Sequence, residues 1–334
     1  MKPLVSILIP AYNAENTVAQ SIQSALSQTW PHKEIIVVND GSTDQTAETV
    51  RRFGTQVKLI STGNQGQSAA VNTAYRFSHG DYIQELDSDD ILAPDKIERQ
   101  LAALRTSDGP RTLLSSSWAP FFYRIDHARF LDTLLCQDLS PIEWLMRKMG
   151  SNLHMQNATW LVSRELAELA GPWNESLRYD QDGEYFDRLV AASDGVRFVQ
   201  GTGVYYRQTS PGSVSWLGNS RIKRASLLDS IKLHIQYLLA IEDSERTRQV
   251  CLTYLQKYYA DFYPDWTDML RSIEAMAAQL QGSLREPRLR WKYAWIRPIL
   301  GWKSANWAQT VIPLLKASVL RRYDKAMFSI EHEE

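Results

Sequence analysis

Three carboxylates within four residues, Asp87, Asp89 and Asp90 with Ser88 between the first two, are the most chemically pointed feature of this chain. Like charges this close repel by about 1 kcal/mol per pair at 4 Å in water, and by more in a drier cleft. They follow Asp81-Tyr82-Ile83-Gln84-Glu85-Leu86, whose polar and apolar residues alternate like those of a partly buried strand. At a strand end such a cluster either turns into solvent and caps the helix expected near Asp95, or serves a cation or hydrogen-bond donor. Two further acids stand in comparable places. Asp40 ends the apolar run Ile35-Ile36-Val37-Val38, where a carboxylate can accept an imide N–H. Asp182 opens a helical stretch, where the helix dipole favours a negative charge.

The elements that would position these acids alternate along the chain. Leu4–Ile9 is a near-continuous apolar run, as expected of a strand buried on both faces of a parallel sheet. A helix is expected from about Glu15, then a strand over Glu34–Val38, which together make a right-handed βαβ unit. Ser42 and Gln45 have capping-box spacing for the next helix. A strand over Val57–Ile60, a loop over Gly63–Ser68, a small-residue helix and the strand before Asp87 follow. Pro94 is expected near the first turn of the next helix. This is an α/β pattern, and open α/β sheets bind ligands beyond the carboxyl ends of their strands. Asp40, Gly66 and Asp87–Asp90 all fall at such ends.

Beyond residue 113 the pattern loosens. Strands are expected over Leu113–Trp118, Thr159–Val162, Val196–Val199 and Gly203–Arg207, with helices over Pro141–Met149, Arg164–Ala170 and Asp182–Ala192, and a mobile loop over Gly212–Ser215. After about residue 216 the apolar period becomes helical. The boundary is therefore expected between a first domain, 1–215, and a helical region, 216–334.

Length and composition are those of a globular protein: 334 residues, 44% hydrophobic and 22% charged. The net charge of −1 hides an asymmetry, because residues 1–215 carry −6 and residues 216–334 carry +5. Residues 285–325 hold 10 Lys/Arg against 2 acids, interleaved with Trp291, Trp295, Trp302 and Trp307. Such a stretch can lie on an anionic membrane surface, or it can pack its aromatics on the core and leave its charges in solvent. No nucleic-acid partner is expected. Cys136 and Cys251 are too few and too far apart for a disulfide framework and fit a reducing cytosol. The N-terminal apolar run is too short for a signal peptide, and no window reaches the 18 apolar residues of a membrane span. Pro-Ala-Tyr-Asn after the first strand excludes the glycine fingerprint of dinucleotide dehydrogenases.

Five stretches, in order, resemble the family-2 glycosyltransferases, inverting nucleotide-sugar enzymes of the GT-A fold. They are Val5–Asn13, Ile36–Asp44, Gly80–Ile83, Leu86–Asp90 and Gln181–Leu189. The resemblance covers about residues 4–215 and implies a mixed, Rossmann-like sheet flanked by helices. It implies a nucleotide-sugar donor, a UDP-sugar before GDP- or dTDP-sugars, held by Pro10, Ala11, Tyr12, Asn13, Glu15, Asp40, Gly66, Asp87, Ser88 and Arg207. It makes Asp89, with Asp87, the ligand of Mn²⁺ or Mg²⁺ on the diphosphate, and leaves Asp90 as a helix-capping neighbour. It makes Asp182 the general base on a hydroxyl of a glycan or lipid-linked acceptor at the cytoplasmic face of a membrane, with Asp180 as the adjacent rival. The chain departs from the family pattern at Gln181, where Glu is common, and at Val71, where Arg is. Directly after Arg207 the chain has Gln208 and Thr209 where the family often has a histidine, so the third metal ligand is unassigned. His154 is expected as a pocket or core residue, and diphosphate contacts fall to the metal, Arg207 or the loop through Ser213 and Ser215. The alternative is a non-catalytic donor-binding module, which would have no need of a carboxylate at Asp182.

Overall fold

The first strand, β1 (Val5–Ala11), is buried at every position and forms the centre of a five-stranded sheet. Around it lie β2 (Lys33–Asp40), β3 (Lys58–Thr62), β4 (Tyr82–Glu85) and the short edge strand β7 (Val162–Ser163), in the order β3-β2-β1-β4-β7. The first four run parallel and β7 pairs antiparallel with β4. This computed structural model describes residues 2–208 and 217–331. The expected domain boundary, the loop over Gly212–Ser215 and the candidate contacts Ser213 and Ser215 lie outside the described residues.

The crossovers are α1 (Val18–Leu26), α2 (Thr46–Arg51) and α3 (Gln67–Arg76). The last is a run of small residues that buries seven positions, so it seats closely on β1 and β2. A second, three-stranded sheet has the order β5-β8-β6, from β5 (Ile91–Leu92), β6 (Thr112–Phe121) and β8 (Gly195–Arg207). The acidic turn therefore joins the two sheets, leaving β4 of one and entering β5 of the other.

Several local expectations are corrected. Ser42 caps no helix: its hydroxyl accepts the Asn13 N–H, and Asp44 takes the Thr46 N–H that opens α2. Pro94 precedes rather than enters α4 (Lys96–Ala102), whose N-cap is Asp95, so Asp90 is too far upstream to cap it. The two expected strands after residue 195 are one strand, β8, whose pairing with β6 shifts register at Ser116/Ser117. Thr159 lies in a 3₁₀ turn, and only Val162–Ser163 form strand.

The remaining helices are α5 (Pro141–Ser151), α6 (Arg164–Ala170), α7 (Gln181–Ala192), α8 (Arg221–Ile241), α9 (Glu245–Phe262), α10 (Thr267–Gln279), α11 (Trp291–Ala294) and α12 (Arg297–Glu331). α7 is wedged in place by aromatics: Phe186 stacks on Trp160, and Tyr185 stacks on Trp173. Such pairs add about 0.5–1.5 kcal/mol each beyond their buried area. α8 packs along α7, and α9 packs against α5. One continuous buried cluster runs from Val5 to Leu280 and so includes α8–α10. α11 and α12 bury only a small cluster of their own, Ile296, Ala305 and Ala308.

Candidate active site

The carboxyl ends of β1, β2 and β4 meet the N-terminus of α7 across one crevice. At its β2 wall, Asp40 is buried and accepts the backbone N–H groups of Gln65 and Gly66 at 2.8 Å each and the Thr62 hydroxyl at 3.4 Å. It thereby folds the loop between β3 and α3. A carboxylate offers about four lone-pair sites, so one is left to meet an N–H from a ligand. Gly41 permits the turn: its φ is +71°, and a Cβ there would stand 2.6 Å from the Asn64 nitrogen.

At the end of β1, Pro10 and Ala11 are buried while Tyr12 is 50% exposed. Asn13 and Glu15 tie this turn to the next one. The Asn13 amide oxygen accepts the Thr43 N–H at 2.9 Å, and the Glu15 carboxylate accepts the Gln45 N–H at 2.9 Å.

The acidic turn forms the floor. Carboxylate oxygens of Asp87, Asp89 and Asp90 lie within 4.8 Å of one another. Burial, with Asp89 next to it, pushes Asp87 up to about 7, and burial also raises Asp89 and Asp90. Beneath them burial pushes Glu85 up to about 8, although Trp173 Nε1 donates to it at 2.9 Å. The three aspartates differ in what they have to spare. Asp90 accepts the Arg207 N–H at 2.8 Å and Gln156 Nε2 at 2.5 Å. Asp87 accepts Gln67 Nε2 at 2.9 Å, and Gln67 in turn accepts Gln181 Nε2 at 3.1 Å. Asp89 is held through its backbone carbonyl, which accepts Arg207 Nε at 2.8 Å. Hard oxygen donors that are costly to ionise together suit a hard divalent cation, and Asp89 has the freest carboxylate, since Asn157 as well as Gln67 bonds to Asp87. Ser88, between them, is half-buried.

Arg207 is the cation that the turn already has. Its guanidinium also donates to Phe122 O and Gln20 Oε1 and lies 4.5 Å from the Phe121 ring centroid. Three of its five N–H groups are used on protein, so two remain for a ligand.

Across the crevice Asp182 is the second residue of α7 and is half-buried. Burial and the neighbouring Asp180 raise its pKa. Asp180 is opposite in character: burial would raise it, but His234 and Lys148 outweigh that and hold it below the usual carboxylate range. Beside them the His154 ring packs 5.0 Å from Trp118, exposed at the crevice edge, so it is a pocket rather than a core residue.

Gln67 and Gln156 escaped the sequence reading, since isolated glutamines carry no spacing signal. His234 had one: with Ser226 and Ser230 it makes a polar stripe at four-residue intervals in an otherwise apolar helix.

Comparison with known proteins gives this crevice a class. The model of the family described as Glycosyl transferase family 2 matches residues 6–110. An uncharacterized glycosyltransferase of Rickettsia typhi is 31% identical over 235 residues, covering 65% of this chain and 71% of that protein. The chain belongs to the family-2 glycosyltransferases and is a transferase. Among solved structures, residues 1–349 of Staphylococcus aureus TarS in complex with UDP-GlcNAc superpose with a TM-score of 0.65 at 16% identity, over 92% of this chain and 91% of that one. This chain spans 55% of a longer TarS chain. The Pyrobaculum calidifontis mannosyltransferase PcManGT, in complex with GDP-Man and Mn²⁺, superposes with a TM-score of 0.54 at 18% identity, over 97% and 88%. Both share the GT-A fold.

Proposed function

We propose that this chain is an inverting, metal-dependent glycosyltransferase that moves a sugar from a UDP-sugar to a hydroxyl of a glycan or lipid-linked acceptor. The observation that carries the reading is a division of labour between carboxylates in one crevice. Asp87 and Asp89 crowd at the strand end with too little positive charge, while Asp182 stands apart with a raised pKa. Asp89 and Asp87 would hold Mn²⁺ or Mg²⁺, which supplies positive charge against the diphosphate as the sugar–phosphate bond breaks. The Mn²⁺ of PcManGT, with its GDP-Man, supports the same assignment here. Tyr12 would stack on the nucleobase and Asp40 would accept its imide N–H. Asn13 and Glu15 hold the turn that carries Tyr12. Gly66 and Ser88 line the donor's path, and Arg207 turns its two spare N–H groups toward the phosphates.

Asp182 takes the proton from the acceptor hydroxyl as its oxygen attacks the anomeric carbon opposite the leaving diphosphate, which inverts the configuration. A raised pKa suits that work, because a base is most effective with a pKa near the working pH. Asp180 is unsuited, since its negative charge is already committed to His234. A donor-binding module without catalysis would have no use for a raised-pKa carboxylate at 182. The test is Asp182→Asn, assayed for UDP release from UDP-GlcNAc and for UDP–Mn²⁺ affinity. Transfer falls by two orders of magnitude or more, the scale of general-base catalysis, while affinity stays within about twofold. Full turnover in that variant overturns the assignment.

The arm formed by α11 and α12 would hold the enzyme against an anionic lipid surface at the cytoplasmic face of a membrane. Of its four tryptophans, Trp302 packs edge-on against Tyr263, whereas Trp291, Trp295 and Trp307 are 81%, 64% and 64% exposed. Leu315, Val319, Leu320 and Tyr323 are also exposed on α12, with Lys316, Arg322 and Lys325 among them. Exposed tryptophans and leucines interleaved with cations suit the headgroup level of an anionic membrane, where basic residues are attracted electrostatically. No helix among the described residues is long and apolar enough to cross a membrane.

A further inference from the structure

α8 reaches the active site from behind with four side chains. The Ser226 hydroxyl meets the Arg178 and Tyr179 N–H groups at 2.8 and 3.0 Å. The Ser230 hydroxyl donates to Asp180 Oδ2 at 2.5 Å. His234, fully buried, places Nε2 3.0 Å from Asp180 Oδ2 and Nδ1 2.5 Å from Asp187 Oδ2, the second contact being an ion pair by distance that falls outside hydrogen-bond geometry. The Tyr237 hydroxyl donates to Glu184 Oε1 at 2.6 Å. One helix thus grips the segment 178–187 at every turn.

Asp187 lies within α7 and Asp180 at its N-cap, and His234 of α8 reaches both. Asp182, five residues before Asp187 in the same helix, is rotated from it by about 140° and lies on another face of α7. Asp180 itself has φ +58° and ψ +28°. A non-glycine residue holds this left-handed conformation at a cost of about 1–3 kcal/mol, and keeps it only where the surroundings dictate it. Those surroundings are Ser226, Ser230 and His234. We infer, on the reading of Asp182 as the base, that His234 is a positioning residue: by bridging Asp180 and Asp187 it fixes the roll of α7 and the direction in which Asp182 presents its carboxylate.

The charges around His234 agree with a bridge. Asp180 and Asp187 come from α7 and its lead-in. Lys148 of α5 donates to the other oxygen of Asp187 at 2.6 Å, and Tyr254 of α9 meets the ring edge-on at 5.9 Å. Burial and Lys148 pull the imidazole down, but the two carboxylates outweigh them and its pKa ends above the ordinary value. A carboxylate at each ring nitrogen favours the charged form of the imidazole. Ionic contact with both carboxylates needs that charge, which neither glutamine nor alanine supplies.

The experiment uses the full chain, with His234→Gln and His234→Ala. In UDP release from UDP-GlcNAc with Mn²⁺, kcat of His234→Ala falls by about 10²-fold, the scale of an ångström's misplacement, and KM stays within about twofold. His234→Gln, which can still bond one carboxylate, recovers part of the loss. The acid limb of its kcat–pH profile moves to higher pH, because Asp180 then bears on Asp182 without its counter-charge, against the opposing pull of His154. Hydrogen exchange of the amides of 181–187 quickens in both variants. Nitrogen-detected NMR of the wild type shows His234 with both ring nitrogens protonated at neutral pH, and Asp187→Asn removes that state. A folded His234→Ala with wild-type kcat and acid limb overturns the inference. If the wild type does not release UDP from UDP-GlcNAc, the donor reading fails and the other two measurements decide: a neutral His234 ring, or unchanged exchange over 181–187, overturns the clamp.

Discussion

Two clusters of aspartates flank the start of α7 and the end of β4 in this protein, and only one is balanced. Asp187 is buried and Asp180 half-buried beside His234 and Lys148, and both sit below the usual carboxylate range although burial alone would raise them. Asp87, Asp89 and Asp90 share one arginine, and all three are raised. Residue type is the same in the two clusters; the supply of positive charge is not. A cluster that the fold neutralises by itself is structural. One left short of positive charge is where an external cation lowers the free energy most.

The largest expected difference is in stability. Asp187→Asn leaves Lys148 and His234 buried without their shared carboxylate, and breaking a buried pair in this way costs about 3–5 kcal/mol. Asp89→Asn removes a like charge from a crowded turn, so without metal it is neutral or slightly stabilising. Urea unfolding of the two variants in EDTA checks both; an equal loss would mean that the clusters do not differ in this way.

The pH dependence separates them next. Asp87, raised to about 7, is a group the folded state prefers to keep protonated. Stability that it contributes below the ordinary carboxylate range is lost as pH rises toward 7. Mn²⁺ restores it, so the Mn²⁺-induced rise in Tm grows between pH 5 and 8. His234 is raised by its partners, so its contribution is present at low pH and lost as pH rises through its folded pKa. That loss is indifferent to Mn²⁺. A metal effect independent of pH would contradict the assignment. The smallest effect lies in the arm: deleting residues 285–334 weakens binding to phosphatidylserine vesicles, and by less as salt rises. If the intact protein does not sediment with such vesicles, the arm has another role.

Much of this arrangement was legible in the sequence. Val5–Ile9 and Ile35–Val38 are apolar on both faces, which dictates buried parallel strands, and strand ends dictate where Asp40 and Asp87–Asp90 stand. Local turn chemistry was less legible. Ser42-x-x-Gln45 has the spacing of a cap, but the Ser42 hydroxyl instead accepts the backbone N–H of Asn13, 29 residues away. Asp90 reads in the sequence as a helix-capping neighbour, and only the return of β8 beside β5 gives it Arg207 and a buried place. His234 lies 54 residues beyond Asp180, on a helix whose docking no local pattern specifies. Long-range charge pairing is decided by packing, so the balanced cluster was the harder of the two to foresee.

The most direct measurement is a Mn²⁺ titration followed by electron paramagnetic resonance at pH 7.5, with and without UDP. One ion should bind per chain, more tightly with UDP. Asp89→Ala should lose that ion, while Asp187→Asn, wherever it remains folded, should keep it. Mn²⁺ binding that survives Asp89→Ala, or that never occurs in the wild type, would contradict the account of an acidic turn built for a cation.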